Sequence, residues 1–198
     1  MKILSARFAG SSTGTASRPV PRLPEFAFIG RSNVGKSSLI NMLCASGALA
    51  KTSSTPGKTR LVNHFIINDS WYLVDLPGYG YAKISQKGRD DLWRMIGDYI
   101  SNSMEMQVLF VLIDSRREIG SIDMDFLLRL GEAGIPFAII FTKADKSGPV
   151  VLAERMEKCK EQILEHWESL PPIFVSSSED GRGREEILSY IDSILTSK

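Results

Sequence analysis

The chain has 198 residues, with 24 Lys and Arg against 23 Asp and Glu and a formal charge of +1. That balance excludes a protein that coats nucleic acid by bulk charge, and a hydrophobic content of 43% excludes a disordered polyelectrolyte. Two cysteines, Cys44 and Cys159, read as isolated thiols of a reducing compartment rather than a disulfide framework.

Residues 1–23 read as an extension, flexible or packed at an edge. Ser11-Ser12-Thr13-Gly14-Thr15 and the prolines at 19, 21 and 24 are loop chemistry. From Glu25 onward, short apolar runs alternate with amphipathic stretches. The pattern predicts strands at 25–29, 61–67, 71–75, 107–113, 136–141 and 172–175. It predicts helices at 36–45, 88–102, 121–133, 150–168 and 183–196. Only Asn68-Asp69-Ser70 separates the second and third strands, so that pair is expected to be an antiparallel hairpin. The other connections are long enough for helical crossovers, which join parallel strands. The expected fold is α/β, a mostly parallel six-stranded sheet with one antiparallel strand and helices on both faces, forming one domain over 24–198. No signal peptide is apparent, and the strongest apolar run, 108–113, is too short to cross a bilayer, so a cytoplasmic protein is expected.

Chemistry enters directly after the first strand. Gly30-Arg31-Ser32-Asn33-Val34-Gly35-Lys36-Ser37 reads Gly-x-x-x-x-Gly-Lys-Ser, the phosphate-binding loop, between a strand and a helix as that motif requires. Gly30 and Gly35 let the backbone bend around a phosphate, and the N–H groups of residues 30–38, up to Ser38, form an anion cradle. Lys36 is expected on the β- and γ-phosphates and Ser37 on Mg²⁺. The polar loop 51–60 follows the first helix. A threonine in it, Thr59 rather than Thr55, is expected to complete the Mg²⁺ shell when a γ-phosphate is present, with Gly57 and Lys58 beside it.

The third strand ends in Asp75-Leu76-Pro77-Gly78. Asp75 is expected beside Mg²⁺, directly or through water, and the Gly78 N–H at the γ-phosphate. The fifth strand ends in Thr142-Lys143-Ala144-Asp145. The Asp145 carboxylate can accept from the N1–H and exocyclic amine of guanine, a donor pair adenine lacks, and the Lys143 stem can lie along the base. Ser176-Ser177-Ser178 follows the last strand and can offer N–H groups to guanine O6. All of these loops leave the carboxyl ends of strands, where a doubly wound sheet binds ligands. His64 and His166 have no metal-ligand companions and are expected in core or surface roles.

Together these segments resemble the TRAFAC-class GTPases and, more closely, the EngB (YihA/YsxC) family of bacterial GTP-binding proteins. The resemblance covers about residues 24–196. It rests on Gly-Arg-Ser-Asn-Val-Gly-Lys-Ser-Ser at 30–38, Thr-Pro-Gly-Lys-Thr at 55–59, Asp-Leu-Pro-Gly-Tyr-Gly-Tyr-Ala at 75–82 and Thr-Lys-Ala-Asp at 142–145. It implies a Ras-like P-loop GTPase domain that binds GTP or GDP with Mg²⁺. It also implies a role in assembly of the large ribosomal subunit and a link to cell division and septation. Two departures from the general GTPase pattern stand out: Thr142 replaces Asn, and Ser176-Ser177-Ser178 replaces Ser-Ala-Lys.

Tyr79 occupies the position at which Ras-like proteins carry a water-orienting Gln, so slow intrinsic hydrolysis is expected. Asn33 stands where related potassium-activated GTPases also carry Asn, which makes K⁺ a candidate second cation. Lys83, Lys87, Arg89, Arg94, Arg116 and Arg117 are either solvated faces or contacts to ribosomal RNA, with Tyr79 and Tyr81 either stacking on that RNA or packing in the core. The second reading of the whole chain is a nucleotide-gated module for a cell-division protein, with incidental hydrolysis, and a monomer is expected in either reading.

Overall fold

The computed structural model describes residues 1–14, 17–50, 61–80 and 86–197, the side chains of residues 86 and 89 excepted. In chain order the elements are β1 (Ala6–Ser12), β2 (Glu25–Gly30), α1 (Lys36–Leu43), β3 (Val62–Ile67), β4 (Trp71–Asp75), α2 (Gln86–Asn102), β5 (Met106–Asp114), α3 (Ser121–Glu132), β6 (Phe137–Thr142), α4 (Pro149–Leu164), β7 (Ile173–Val175) and α5 (Arg184–Thr196). The strands form one sheet in the order β1-β3-β4-β2-β5-β6-β7.

Strand β2 shows why the sheet must be covered twice. Phe26 and Phe28 face one core with Phe110, Ile140 and the α1 and α5 residues Leu39 and Ile187. Ala27 and Ile29 face the other, with Val111, Tyr99 of α2, Phe126 of α3 and Cys159 of α4. Alternate residues point to opposite faces, so a strand apolar at every position needs helices on both.

The expected hairpin forms. Asn68 and Asp69 both adopt left-handed backbone, at φ 50° and 52°, the pairing of a type I′ turn. Ser70 N–H closes the turn on Ile67 O at 3.0 Å. β3 is antiparallel to both of its neighbours, while β2, β4, β5, β6 and β7 pair in parallel.

The sheet has seven strands rather than six, because part of the 1–23 extension is β1, paired with the outer edge of β3. Its sequence, Ala-Arg-Phe-Ala-Gly-Ser-Ser, lies on an open edge and is largely exposed, so it carries no hydrophobic alternation to betray it. Its anchor is the hairpin tip: Asn68 Oδ1 accepts from Leu4 N–H (2.7 Å) and Ser5 N–H (3.1 Å), and Asn68 Nδ2 donates to Lys2 O (2.8 Å).

A buried polar network closes the amino end of the sheet. Glu25 Oε2 accepts from Tyr99 (2.6 Å) and from Ser103 (2.7 Å), and Arg18 Nη1 bonds Ser103 Oγ (2.7 Å) and Glu105 (2.6 Å). His64 Nε2 lies 3.1 Å from Tyr99 Oη and 3.8 Å from Glu25 Oε1. Burial pushes the His64 imidazole down to about 4. In the unfolded chain it titrates near ~6.5. Between those values the unfolded state holds the extra proton, so stability falls as pH falls through that window. Urea titrations of wild type and His64→Gln should show it: on going from pH 7.5 to pH 5, wild type is expected to lose about 2 kcal/mol more than the variant.

Candidate functional site

The carboxyl ends of β2, β4, β5 and β6 converge on one surface. β2 leaves the sheet at Gly30 in a place no larger residue fits: a Cβ there would stand 2.8 Å from Leu112 O and 3.0 Å from Val34 Cγ1. Asn33 (φ 62°) and Gly35 (φ 102°) then turn the chain through left-handed backbone, and α1 begins at Lys36. Such a turn running into a helix start aims successive N–H groups at one point, an anion-binding nest. Lys36 pairs with Asp75 across the loop, and both side chains are mostly buried. Ser37 is half-buried and Ser38 exposed. The carboxylate of Asp75 and the hydroxyl of Ser37 are hard oxygen donors, which suit Mg²⁺.

The segment after β4 is laced to this loop. Leu76 N–H donates to Phe28 O (3.0 Å), Tyr79 N–H to Gly30 O (3.1 Å) and Ser32 N–H to Tyr79 O (3.1 Å). Pro77 and Gly78 are thereby held against the phosphate loop. The loop after β6 joins from the other side. The buried Thr142 hydroxyl donates to Val34 O at 2.6 Å, so a short side chain suffices to tie the two loops. Lys143 Nζ bonds Asn33 O (2.6 Å) and Asp114 Oδ2 (3.0 Å). Asp145 accepts from the Ser177 hydroxyl (2.8 Å) and pairs with Lys146 (2.9 Å), contacts that hold its carboxyl below the usual range. Ser176 N–H donates to Phe141 O (2.7 Å) and Ser177 N–H to Arg182 O (3.1 Å), which fixes the loop after β7 beside Asp145. The expected site segments that the structure describes therefore meet. Gly57, Lys58 and Thr59, with Thr55, Tyr81, Lys83 and the Arg89 side chain, lie outside the described residues.

A family model described as "50S ribosome-binding GTPase" matches residues 25–143. A probable GTP-binding protein EngB of Porphyromonas gingivalis is 58% identical over 194 residues, 98% of this chain and 96% of that protein. The chain belongs to the EngB family of GTP-binding proteins. An EngB relative from Bacteroides thetaiotaomicron is 57% identical, with 98% and 96% covered. The crystal structure of a probable GTP-binding protein EngB aligns with TM-score 0.64 and 25% identity over 88% of this chain and 100% of that one. Era, in complex with MgGDPNP and 16S ribosomal RNA nucleotides, shares the fold at TM-score 0.62 and 21% identity, over 86% of this chain and 56% of that one. As a member of the EngB family the protein is a GTPase that binds guanine nucleotide.

Within this EngB fold, Tyr79 packs in the core. Its ring is fully buried, stacked on Trp93 (centroids 5.4 Å apart) and against Phe126 (5.1 Å). Its hydroxyl donates to Asp123 Oδ1 at 2.8 Å, and Arg31 Nη1 stands 4.0 Å from Asp123 Oδ2. Burial pushes the Asp123 carboxyl up, against the pull of Tyr79 and Arg31. Neither Asp114 nor Asp123 is among the residues expected at the site. Asp114 had a signal: like Asp75, it closes an apolar strand. Asp123 had none, because its partners arrive from distant segments. Of the basic residues, Lys87 and Arg117 are exposed, Arg94 pairs with Asp91 (3.4 Å), and Arg116 is held by Asp114 (2.7 Å). Tyr79→Phe takes away the hydroxyl donor of a buried carboxylate. It should lower unfolding stability by about 1–3 kcal/mol in urea titrations at neutral pH.

Proposed function

We propose that the protein is a Mg²⁺-dependent GTP-hydrolysing switch that acts in assembly of the large ribosomal subunit and through it supports cell division and septation. The observation that carries this reading is the lacing of the 76–79 segment to the phosphate loop by two backbone hydrogen bonds, Tyr79 N–H to Gly30 O and Ser32 N–H to Tyr79 O. A γ-phosphate contact at Gly78 would be felt at once in the segment leading to α2. The matching family model, a "50S ribosome-binding GTPase", supports the ribosomal target. Exposed Lys87 and Arg117 suit an RNA phosphate backbone.

In this reading residues 24–198 are a single GTPase domain, and the 1–23 extension contributes its edge strand. Gly30 to Ser38 wrap the phosphates, and Lys36 leaves Asp75 to neutralise charge on the β- and γ-oxygens. Asp75, Ser37 and Thr59 would hold Mg²⁺, which would supply Lewis-acid stabilisation of the charge on the phosphates. Gly57 and Lys58 flank Thr59. Leu76 and Pro77 carry Gly78 to the γ-phosphate. Thr142 braces the phosphate loop, Lys143 walls the base, Asp145 reads guanine with the Ser177 hydroxyl on its carboxylate, and the 176–178 loop lies toward guanine O6, the Ser176 and Ser177 N–H groups themselves being taken by Phe141 O and Arg182 O. The protein works as a cytoplasmic monomer; among the described residues no helix is long and apolar enough to cross a membrane.

Residue 79 is a tyrosine locked to Asp123, not a water-orienting glutamine, and hydrolysis by the isolated protein is slow. The exposed Asn33 would offer its side-chain amide oxygen to K⁺, which would supply positive charge near the phosphates. Single-turnover hydrolysis is expected to be slow in Na⁺ and faster in K⁺, and equal rates in the two salts would remove K⁺ from the scheme. The target is tested by co-sedimentation with purified ribosomal subunits across a salt series. Binding to the large subunit only with a non-hydrolysable GTP analogue, weakening steeply with salt, is expected. Absence of binding with either GTP analogue or GDP would point instead to a protein partner in cell division.

A further inference from the structure

Asp114 ends β5, between the strand that leads into the phosphate loop and the strand that leads into the base loop. Its carboxylate is saturated by two cations. Oδ1 accepts from Arg116 backbone N–H (3.1 Å) and Nε (2.9 Å). Oδ2 accepts from Arg116 Nη2 (2.7 Å) and Lys143 Nζ (3.0 Å). Burial opposes ionisation here, yet the hydrogen bonds from Arg116 and Lys143 outweigh it and hold the carboxyl well below the usual range. Lys143 is the residue this arrangement constrains most. Its ammonium is strung between Asn33 O (2.6 Å) and Asp114, and its backbone sits in left-handed conformation at φ 60°. A lysine stem is otherwise free to sample many rotamers, and ordering it carries an entropic cost. With both ends held, the four-carbon stem keeps one course between the phosphate loop and Asp145.

We propose that Asp114 is a positioning residue for guanine-nucleotide binding: it fixes Lys143 against the phosphate loop so that the Lys143 stem forms the wall of the base pocket. This rests on the reading of Thr142-Lys143-Ala144-Asp145 as the base site. A positioned wall stabilises the ring plane and is indifferent to the exocyclic 2-amino group. Asp145 reads that group, so GDP and IDP separate the two contributions.

The test is a double-mutant cycle on the full chain, with GDP and IDP affinities measured by calorimetry and folding checked by thermal denaturation. Lys143→Ala and Asp114→Asn should each weaken GDP roughly tenfold and weaken IDP by the same factor. The double variant should be no weaker than the worse single, since Asp114 acts through Lys143. Losses that multiply in the double variant, or a folded Asp114→Asn with unchanged affinity, would overturn the proposal. If Lys143→Ala itself leaves GDP binding unchanged, the base-site reading fails, which is a different result from failure of the clamp. Should Asp114→Asn not fold, Asp114→Glu keeps the charge and moves it by one methylene. In the same cycle it should again give a loss that disappears in the Lys143→Ala background, and a loss that persists there would refute the clamp.

Discussion

The carboxyl end of the sheet depends on how closely the backbone at Gly30 approaches β5. A Cβ at that position would meet Leu112 O at 2.8 Å, inside any distance real carbon atoms keep. Because the approach is possible, the phosphate loop leaves β2 tucked against the neighbouring strand instead of lifting away from it. Val34 is buried there, its carbonyl within reach of the Thr142 hydroxyl, and the Asn33 carbonyl is within reach of Lys143. Two loops more than a hundred residues apart in the chain are thus joined by two short hydrogen bonds. A larger residue at 30 would push the loop outward and break both.

Around that loop, negative charge is distributed in a regular way. Three carboxylates stand at the ends of elements, each engaged by cations or donors from another segment: Asp75 with Lys36, Asp114 with Arg116 and Lys143, and Asp123 with Tyr79 and Arg31. Burying a carboxylate is costly unless it is paired and hydrogen-bonded, so each of these contacts also fixes the geometry of its partners. The partners include phosphate-loop residues 31 and 36 and base-loop residue 143. Pairing that keeps the fold from repelling itself also holds a surface rich in N–H groups and cations where phosphate can be received. The opposite end of the sheet follows the same economy with Glu25, Arg18 and Tyr99, remote from the nucleotide surface.

Most of the fold could be read from local pattern. Apolar runs such as Phe26-Ala27-Phe28-Ile29 announce strands buried on both faces, and Asn68-Asp69 announces a tight turn. β1 escaped because an edge strand is held by backbone pairing and by scattered side-chain contacts, Asn68 to Leu4 and Ser5, Arg7 to Asp69 and Ser11 to Asn63, none of which leaves a periodicity. Tyr79 allowed two readings, since an aromatic beside a switch segment serves equally to stack or to pack. Trp93 and Phe126, brought from α2 and α3, settle it as packing.

The phosphate loop, Asp75 and the Thr-Lys-Ala-Asp segment were legible as chemistry because short-range constraints dictate them. Glycine is needed where the backbone turns left-handed or comes close, and a lysine and a hydroxyl are needed directly after it. Those requirements act within a few residues, so they appear as spacing in the chain. The clamp of Asp114 on Arg116 and Lys143, and the hold of Asp123 on Tyr79 and Arg31, arise between residues up to about 92 positions apart, Arg31 to Asp123 being the longest span. Such contacts depend on how parallel strands are ordered and which helix covers which face. Only folding brings Asp114 to Lys143, and Asp123 to Tyr79 and Arg31, which is why the partners of Lys143 and Tyr79 could not be read from spacing.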